Sequence, residues 1–145
     1  MYLYDTNTIS ELRKRDPDIN VVQFNNLVNA NHAEIVLSVI TYGEILKGIY
    51  QLKNRGDIQQ ASVIERWYQQ KILPNIDLAL PFDKECTKIW GELMAKNPHN
   101  PIDKQLAATA MVHDLILVTR NVKDIQDTGV KFINPFEPSN DVTSH

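Results

Sequence analysis

Apolar positions along the chain fall into two alternating patterns: short continuous runs, and longer stretches in which hydrophobic residues recur at helical spacing. The short runs are Tyr2-Leu3-Tyr4, Glu34-Ile35-Val36-Leu37, a less continuous Ile76-Asp77-Leu78-Ala79-Leu80, Leu115-Ile116-Leu117-Val118 and Val130-Lys131-Phe132-Ile133. Each reads as a strand, and an all-apolar run such as 115–118 suits a central strand covered on both faces. Between the runs lie stripes of helical period. Ile45, Ile49 and Leu52 mark a helix over 41–53; Ala61, Ile64, Tyr68 and Ile72, with Trp67 beside them, mark one over 58–72. Cys86, Ile89, Trp90, Leu93 and Met94 follow the i, i+3, i+4, i+7, i+8 pattern. Asn100-Pro101-Ile102-Asp103 opens a further helix, since proline is favoured in a first turn, and Leu106, Ala107, Ala110 and Met111 give it a small-residue face for close packing. Lys53-Asn54-Arg55-Gly56 reads as a helix–helix turn. Strands alternating with helices predict an α/β fold with a short central parallel sheet of four to five strands flanked by helices.

Composition narrows the class. A chain of 145 residues is long enough for one domain, and 43% hydrophobic with 23% charged residues is a globular balance, not a disordered one. The expected division is a domain over 1–136 and a flexible polar tail over 137–145. The single cysteine, Cys86, has no partner for an internal disulfide, and its place on an apolar stripe predicts a buried, inert thiol. Tyr4-Asp5 interrupts the start before any signal-like run, and no apolar stretch approaches the roughly 20 residues of a membrane span, so the expected location is cytoplasmic. Neither G-x-G-x-x-G nor G-x-x-x-x-G-K-[ST] occurs, which removes the two commonest phosphate cradles. A net charge of −3 exerts no global pull on nucleic acid.

The acids change the picture. Asp5 ends the first strand, Glu44 begins the helix after the second, Asp103 begins the helix before 115–118, and Asp124 follows that strand beyond Thr119-Arg120-Asn121. Singly, each has a structural explanation. Asp5 can cap the next helix for about 1 kcal/mol, Thr41-Tyr42-Gly43-Glu44 contains a T-x-x-E capping box, Asp103 suits a helix dipole, and Asp124 suits a loop. Together they converge on the carboxyl edge of a parallel sheet, where crevices form. Two carboxylates ~4 Å apart repel by roughly 4 kcal/mol at an effective dielectric of about 20, so a cluster must protonate or recruit a cation. An all-oxygen donor set suits Mg²⁺ or Mn²⁺, whose usual business is phosphate, and the chemistry indicated is hydrolysis of a phosphodiester by metal-activated water.

At these residues the chain resembles the PIN-domain ribonucleases, in particular the VapC/FitB-like toxins of type II toxin–antitoxin pairs. The matching pieces are Tyr4-Asp5-Thr6-Asn7-Thr8-Ile9-Ser10-Glu11, Leu37-Ser38-Val39-Ile40-Thr41-Tyr42-Gly43-Glu44, Ile102-Asp103 with Ala107-Ala108-Thr109-Ala110, Leu117-Val118-Thr119-Arg120-Asn121 with Asp124, and Phe132-Ile133-Asn134-Pro135-Phe136. The resemblance implies a three-layer PIN-like domain and a metal-dependent endoribonuclease, with Asp5, Glu44, Asp103 and Asp124 as the catalytic acids. Asp5 and Asp103 would hold Mg²⁺ or Mn²⁺, Glu44 and Asp124 would act directly or through water, and Thr6, Asn7, Thr119 and Asn121 would support them. Many relatives carry an acid where this chain has Asn121. The implied partners are RNA, a cognate antitoxin seated near the helices 41–53 and 58–72, and a second copy in a homodimer or a larger assembly with antitoxin; no membrane is implied. Arg13, Lys14, Arg15, Lys47 and Arg120, with Lys53, Arg55 and Lys123 nearby, are candidates to hold RNA phosphates, against the plainer role of solvating helix faces. Two other readings remain: a non-catalytic RNA- or protein-binding PIN-like module, and a haloacid-dehalogenase-like phosphatase, in which Asn7 would replace the second acid of Asp-x-Asp.

Overall fold

The structure is a computed structural model, and it describes residues 1–138. The elements run β1 (Tyr2–Tyr4), α1 (Thr6–Leu12), α2 (Ile19–Ala30), β2 (Ile35–Val36), α3 (Val39–Asn54), α4 (Ile58–Trp67), α5 (Lys84–Lys96), α6 (Pro101–Val112), β3 (Ile116–Val118), α7 (Val122–Ile125) and β4 (Phe132–Ile133). The strands form one parallel sheet in the order β2-β1-β3-β4, with Tyr2 opposite Ile35 and Ile116, and Leu117 opposite Phe132.

Strands of two or three residues make a sheet only because both faces are covered. Alternation sends Leu3 and Leu117 to one side, against Leu93 of α5 and Leu106, Ala107 and Ala110 of α6. The alanines leave no bulk, so α6 lies close on the sheet, and all of this cluster is under a tenth exposed. Tyr2, Tyr4, Val118 and Ile133 point to the opposite side, onto Phe24 and Val28 of α2, with the Tyr2 ring edge-on to Phe24 at 5.7 Å. Helix, sheet and helix are therefore the three layers that the family resemblance implies. Tyr42, Ile45, Ile49, Ala61, Tyr68 and Ile72 form a separate core between α3 and α4, an antiparallel pair joined at Gly56, whose φ of +85° is the left-handed turn that glycine favours. Cys86 is buried, as its stripe predicts.

The structure corrects several sequence expectations. Residues 76–80 are not a strand: a 3₁₀ turn occupies Leu73–Leu78, begun by Pro74, and Leu78 is largely exposed. Leu80 makes only an isolated parallel bridge to Ser38, so the sheet has four strands among the described residues. Helix 58–72 does not run through; α4 stops at Trp67 and a π-helical turn covers Tyr68–Ile72 before the 3₁₀ turn. Helix α2 carries only a faint stripe in the sequence. Its Val21, Phe24 and Val28 do fall on one buried face, but asparagine and valine are poor helix formers and diluted the signal. Helix α3 begins two residues early, capped by Ser38, whose hydroxyl accepts from the Ile40 N–H at 3.0 Å. Thr41 and Glu44 are therefore interior residues of α3 and no capping box. The expected flexible tail lies outside the described residues from position 139 onward. Among the described residues, no helix is long and apolar enough to cross a membrane.

Candidate functional site

Strand β1 is where the topology switches. The chain leaves it for β2 on one side and returns across it to β3 on the other, which opens a crevice beyond the carboxyl ends of β1 and β3. Asp5 and Thr119 stand there, each one residue past the last paired position, and the Asp5 N–H donates to the Val118 carbonyl at 3.0 Å. Asp5 is only 3% exposed, and its Oδ1 accepts from the Thr8 N–H at 2.8 Å, capping α1. Burial pushes its carboxyl above the usual range, against hydrogen bonds from Thr8 and Thr119. The capping explanation is thus correct and incomplete: an N-cap needs one oxygen and no burial.

Glu44 reaches the same crevice from α3. Its Oε1 accepts from the Thr6 hydroxyl at 2.5 Å, and Thr6 Oγ1 lies 3.3 Å from Thr41 Oγ1. Asp103 arrives from the first turn of α6, and its carboxyl is pushed up to about 6. Burial is the largest cause, opposed by the Asn121 amide, and the negative charges of Asp124, Asp5 and Glu44 raise it further. Asn121 Nδ2 donates to Asp103 Oδ1 at 3.4 Å, while its backbone N–H donates to Thr119 Oγ1 at 3.0 Å. Asp5, Thr6, Asn7, Glu44, Asp103 and Asn121 together line one cleft of about 430 Å³.

Asp124 sits apart. It lines the neighbouring groove with Arg120, Lys123, Phe132 and Asn134, and its Oδ1 accepts from Asn100 Nδ2 at 2.7 Å. Among the described residues, no three carboxylate, imidazole or thiolate groups close around one point as a metal cage. The donor set still fits a hard divalent ion. Mg²⁺ takes one or two carboxylates and keeps several waters, and a half-buried carboxyl raised first by burial and then by three neighbouring negative charges is one whose ionised form a cation stabilises.

The nominated cations divide. Lys47 lines the acid cleft. Arg120 is exposed at the rim, its guanidinium 4.6 Å from the Phe136 ring, and a small pocket joins it to Asn7 and Lys14. Arg13 instead lies 5.9 Å over Trp67, Lys14 pairs with Glu11 at 2.8 Å, and Arg15 is an exposed residue between elements. Lys53 pairs with Glu65 and Arg55 approaches Asp57, both on the surface. Two residues escaped the sequence reading. Asn100 lines the cleft, yet an asparagine ahead of Pro101 reads as nothing more than a cap. Lys104 is 2% exposed and donates to the His99 carbonyl; no sequence signal marks a lysine for burial.

Three comparisons bear on this geometry. The PIN domain family model matches residues 2–130. The chain is 30% identical to the VapC ribonuclease Y4jK of Sinorhizobium fredii, over 96% of this chain and 100% of that one, and 32% identical to the toxin FitB of Neisseria gonorrhoeae, over 94% and 99%. Among solved structures, a chain of the FitAcB crystal structure from Neisseria gonorrhoeae superposes with a TM-score of 0.78 at 29% identity, covering 94% of this chain and 99% of that one.

Proposed function

This chain belongs to the PIN domain family, and from that premise we propose that it is a metal-dependent endoribonuclease, the toxin of a toxin–antitoxin pair. The observation that carries the reading is the convergence of Asp5, Glu44 and Asp103, from three separate elements, on one cleft at the switch point of the sheet. Names of relatives support it: one similar protein is called a ribonuclease and another a toxin. Asp5 and Asp103 would hold the ion, Mg²⁺ or Mn²⁺, and Glu44 and Asp124 would act directly or through water. When bound, the ion supplies Lewis-acid activation of water and neutralises charge on the phosphate.

The remaining work falls to side chains. Thr6 aims the Glu44 carboxylate, Asn121 holds one oxygen of Asp103, and Thr119 holds the Asn121 backbone. Asn7 lines both the cleft and the pocket beside Arg120, on the path a nucleic-acid strand takes across the rim. Lys47 and Arg120 hold phosphates there, contacts that position RNA without reading its bases. Arg13 and Lys14, already engaged with Trp67 and Glu11, contribute less. The protein partners are a cognate antitoxin near α3 and α4 and a second copy of this chain, paired further with antitoxin in a larger complex. The domain extends over 1–136, and its place of action is the cytoplasm.

The test is cleavage of RNA by the purified chain with Mg²⁺ or Mn²⁺, in parallel with EDTA and with Asp5→Asn. Asparagine still caps a helix, so this variant keeps the fold and removes the charge. We expect cleavage to stop with EDTA and to fall at least about 100-fold in Asp5→Asn, the scale of losing one principal transition-state contact. Equal cleavage by both proteins would assign the activity to another site.

A further inference from the structure

Helices α6 and α7 start alike. Each has an asparagine at its N-cap and an aspartate three residues on: Asn100 and Asp103 in α6, Asn121 and Asp124 in α7. An N-cap asparagine ordinarily accepts from the N–H groups of its own helix. Neither does so here. Instead each amide crosses to the other helix. Asn100 Nδ2 donates to Asp124 Oδ1 at 2.7 Å, and Asn121 Nδ2 donates to Asp103 Oδ1 at 3.4 Å. Asn100 is left-handed, with φ +56° and ψ +59°, a conformation that asparagine tolerates better than most residues.

We propose that Asn100 is a positioning residue, one half of a crossed latch that sets the third and fourth acids relative to each other. Asp124 rides on a helix of four residues and lines the groove next to the acid cleft, while Asn100 lines the cleft itself. Its amide is the contact that ties Asp124 to the cleft's mouth. A neutral donor is the chemistry this task needs. A lysine or arginine would fix the carboxylate but discharge it, competing with a cation, whereas an amide occupies one oxygen and leaves the charge and the second oxygen available. The two bonds also join α6 to α7, so the acids move as a pair.

This inference rests on the metal-site reading above, and its test separates the two. Mn²⁺ binding to the RNA-free full chain is measured by calorimetry for wild type, Asn100→Gly, Asp124→Ala and the double variant. Glycine accepts the left-handed backbone, so Asn100→Gly loses the amide without straining the turn. Orienting contacts of this kind are worth about 10-fold in metal affinity. We expect each single variant to bind Mn²⁺ about 10-fold more weakly, and the double variant to bind no more weakly than Asp124→Ala alone, because Asn100 acts through Asp124. Wild-type affinity in Asn100→Gly or in Asp124→Ala overturns the latch, and so does a double variant whose loss is the product of the two. A wild-type chain that binds no Mn²⁺ removes the metal-site reading itself, and the latch with it.

Discussion

Asp103 carries the clearest consequence at the scale of single residues. Its carboxyl is raised to about 6 in the fold, first by burial and then by three neighbouring acids, from an unfolded value near 3.8. Below about pH 3 it is protonated in both states. As pH rises from there through 6, the unfolded chain releases the proton more readily, so stability falls across that window and stays lower above it. A two-unit shift bounds the loss at about 3 kcal/mol, and partial exposure reduces it to about 1 kcal/mol. In EDTA at pH 7, Asp103→Asn therefore melts about 4 °C above wild type, and the difference vanishes below about pH 3. Identical melting curves at pH 7 would contradict the crowding of charges in the cleft. Asp5 is raised in the same direction by burial and adds to the trend. Asp5 and Asp103 were readable from sequence, because carboxylates at element ends are visible in one dimension, whereas Glu44 lies inside α3. The hydrogen bonds that orient them were not: Thr6 meets Glu44 across 38 positions and Asn100 meets Asp124 across 24.

At the scale of elements, α3 decides where Glu44 points. Ser38 caps it, and Glu44 stands in its second turn with Thr6 as its partner. Ser38→Ala consequently costs about 1 kcal/mol and lowers the melting temperature by about 4 °C, whereas Glu44→Gln leaves it nearly unchanged. Had Thr41 and Glu44 formed a capping box, Glu44→Gln would still cap, but Thr41→Ala would take the larger toll that belongs to Ser38→Ala. Thermal melts of the three variants by circular dichroism separate these cases. Long stripes of regular period were legible, as in α5 and α6. Residues 73–80 were not, because Ile76, Leu78 and Leu80 alternate like a strand while Pro74 starts a 3₁₀ turn, and only burial tells the two apart. Helix α2 was hidden for the opposite reason. Its packing on Tyr2 and Tyr4 holds together a sequence whose own propensity for helix is low.

For the whole molecule, the sheet order sets the site. Four short parallel strands with β1 and β3 at the centre bring residues 5, 44 and 103 to one cleft although about 100 positions separate the ends of that set. The cleft gathers three carboxylates, so a cation that binds the folded chain alone stabilises it by mass action, by about 2.7 kcal/mol at 100 times its dissociation constant. Saturating Mn²⁺ should therefore raise the wild-type melting temperature by several degrees and shift Asp5→Asn or the double variant Asp5→Asn/Asp103→Asn much less. An equal shift in all three, read by calorimetry, would place the bound ion elsewhere.

Sequence alone was enough for the fold class, the parallel sheet, and the places of Asp5 and Asp103 at element ends. These depend on local period and residue type, which the chain carries at every position. Tertiary structure decided which acids share the cleft, that Asp124 stands in the adjoining groove, that Arg13 and Lys14 are already engaged, and that two asparagines trade helices. Those are contacts between residues far apart in the chain, and their geometry exists only once burial on both faces of the sheet has fixed how the helices lie.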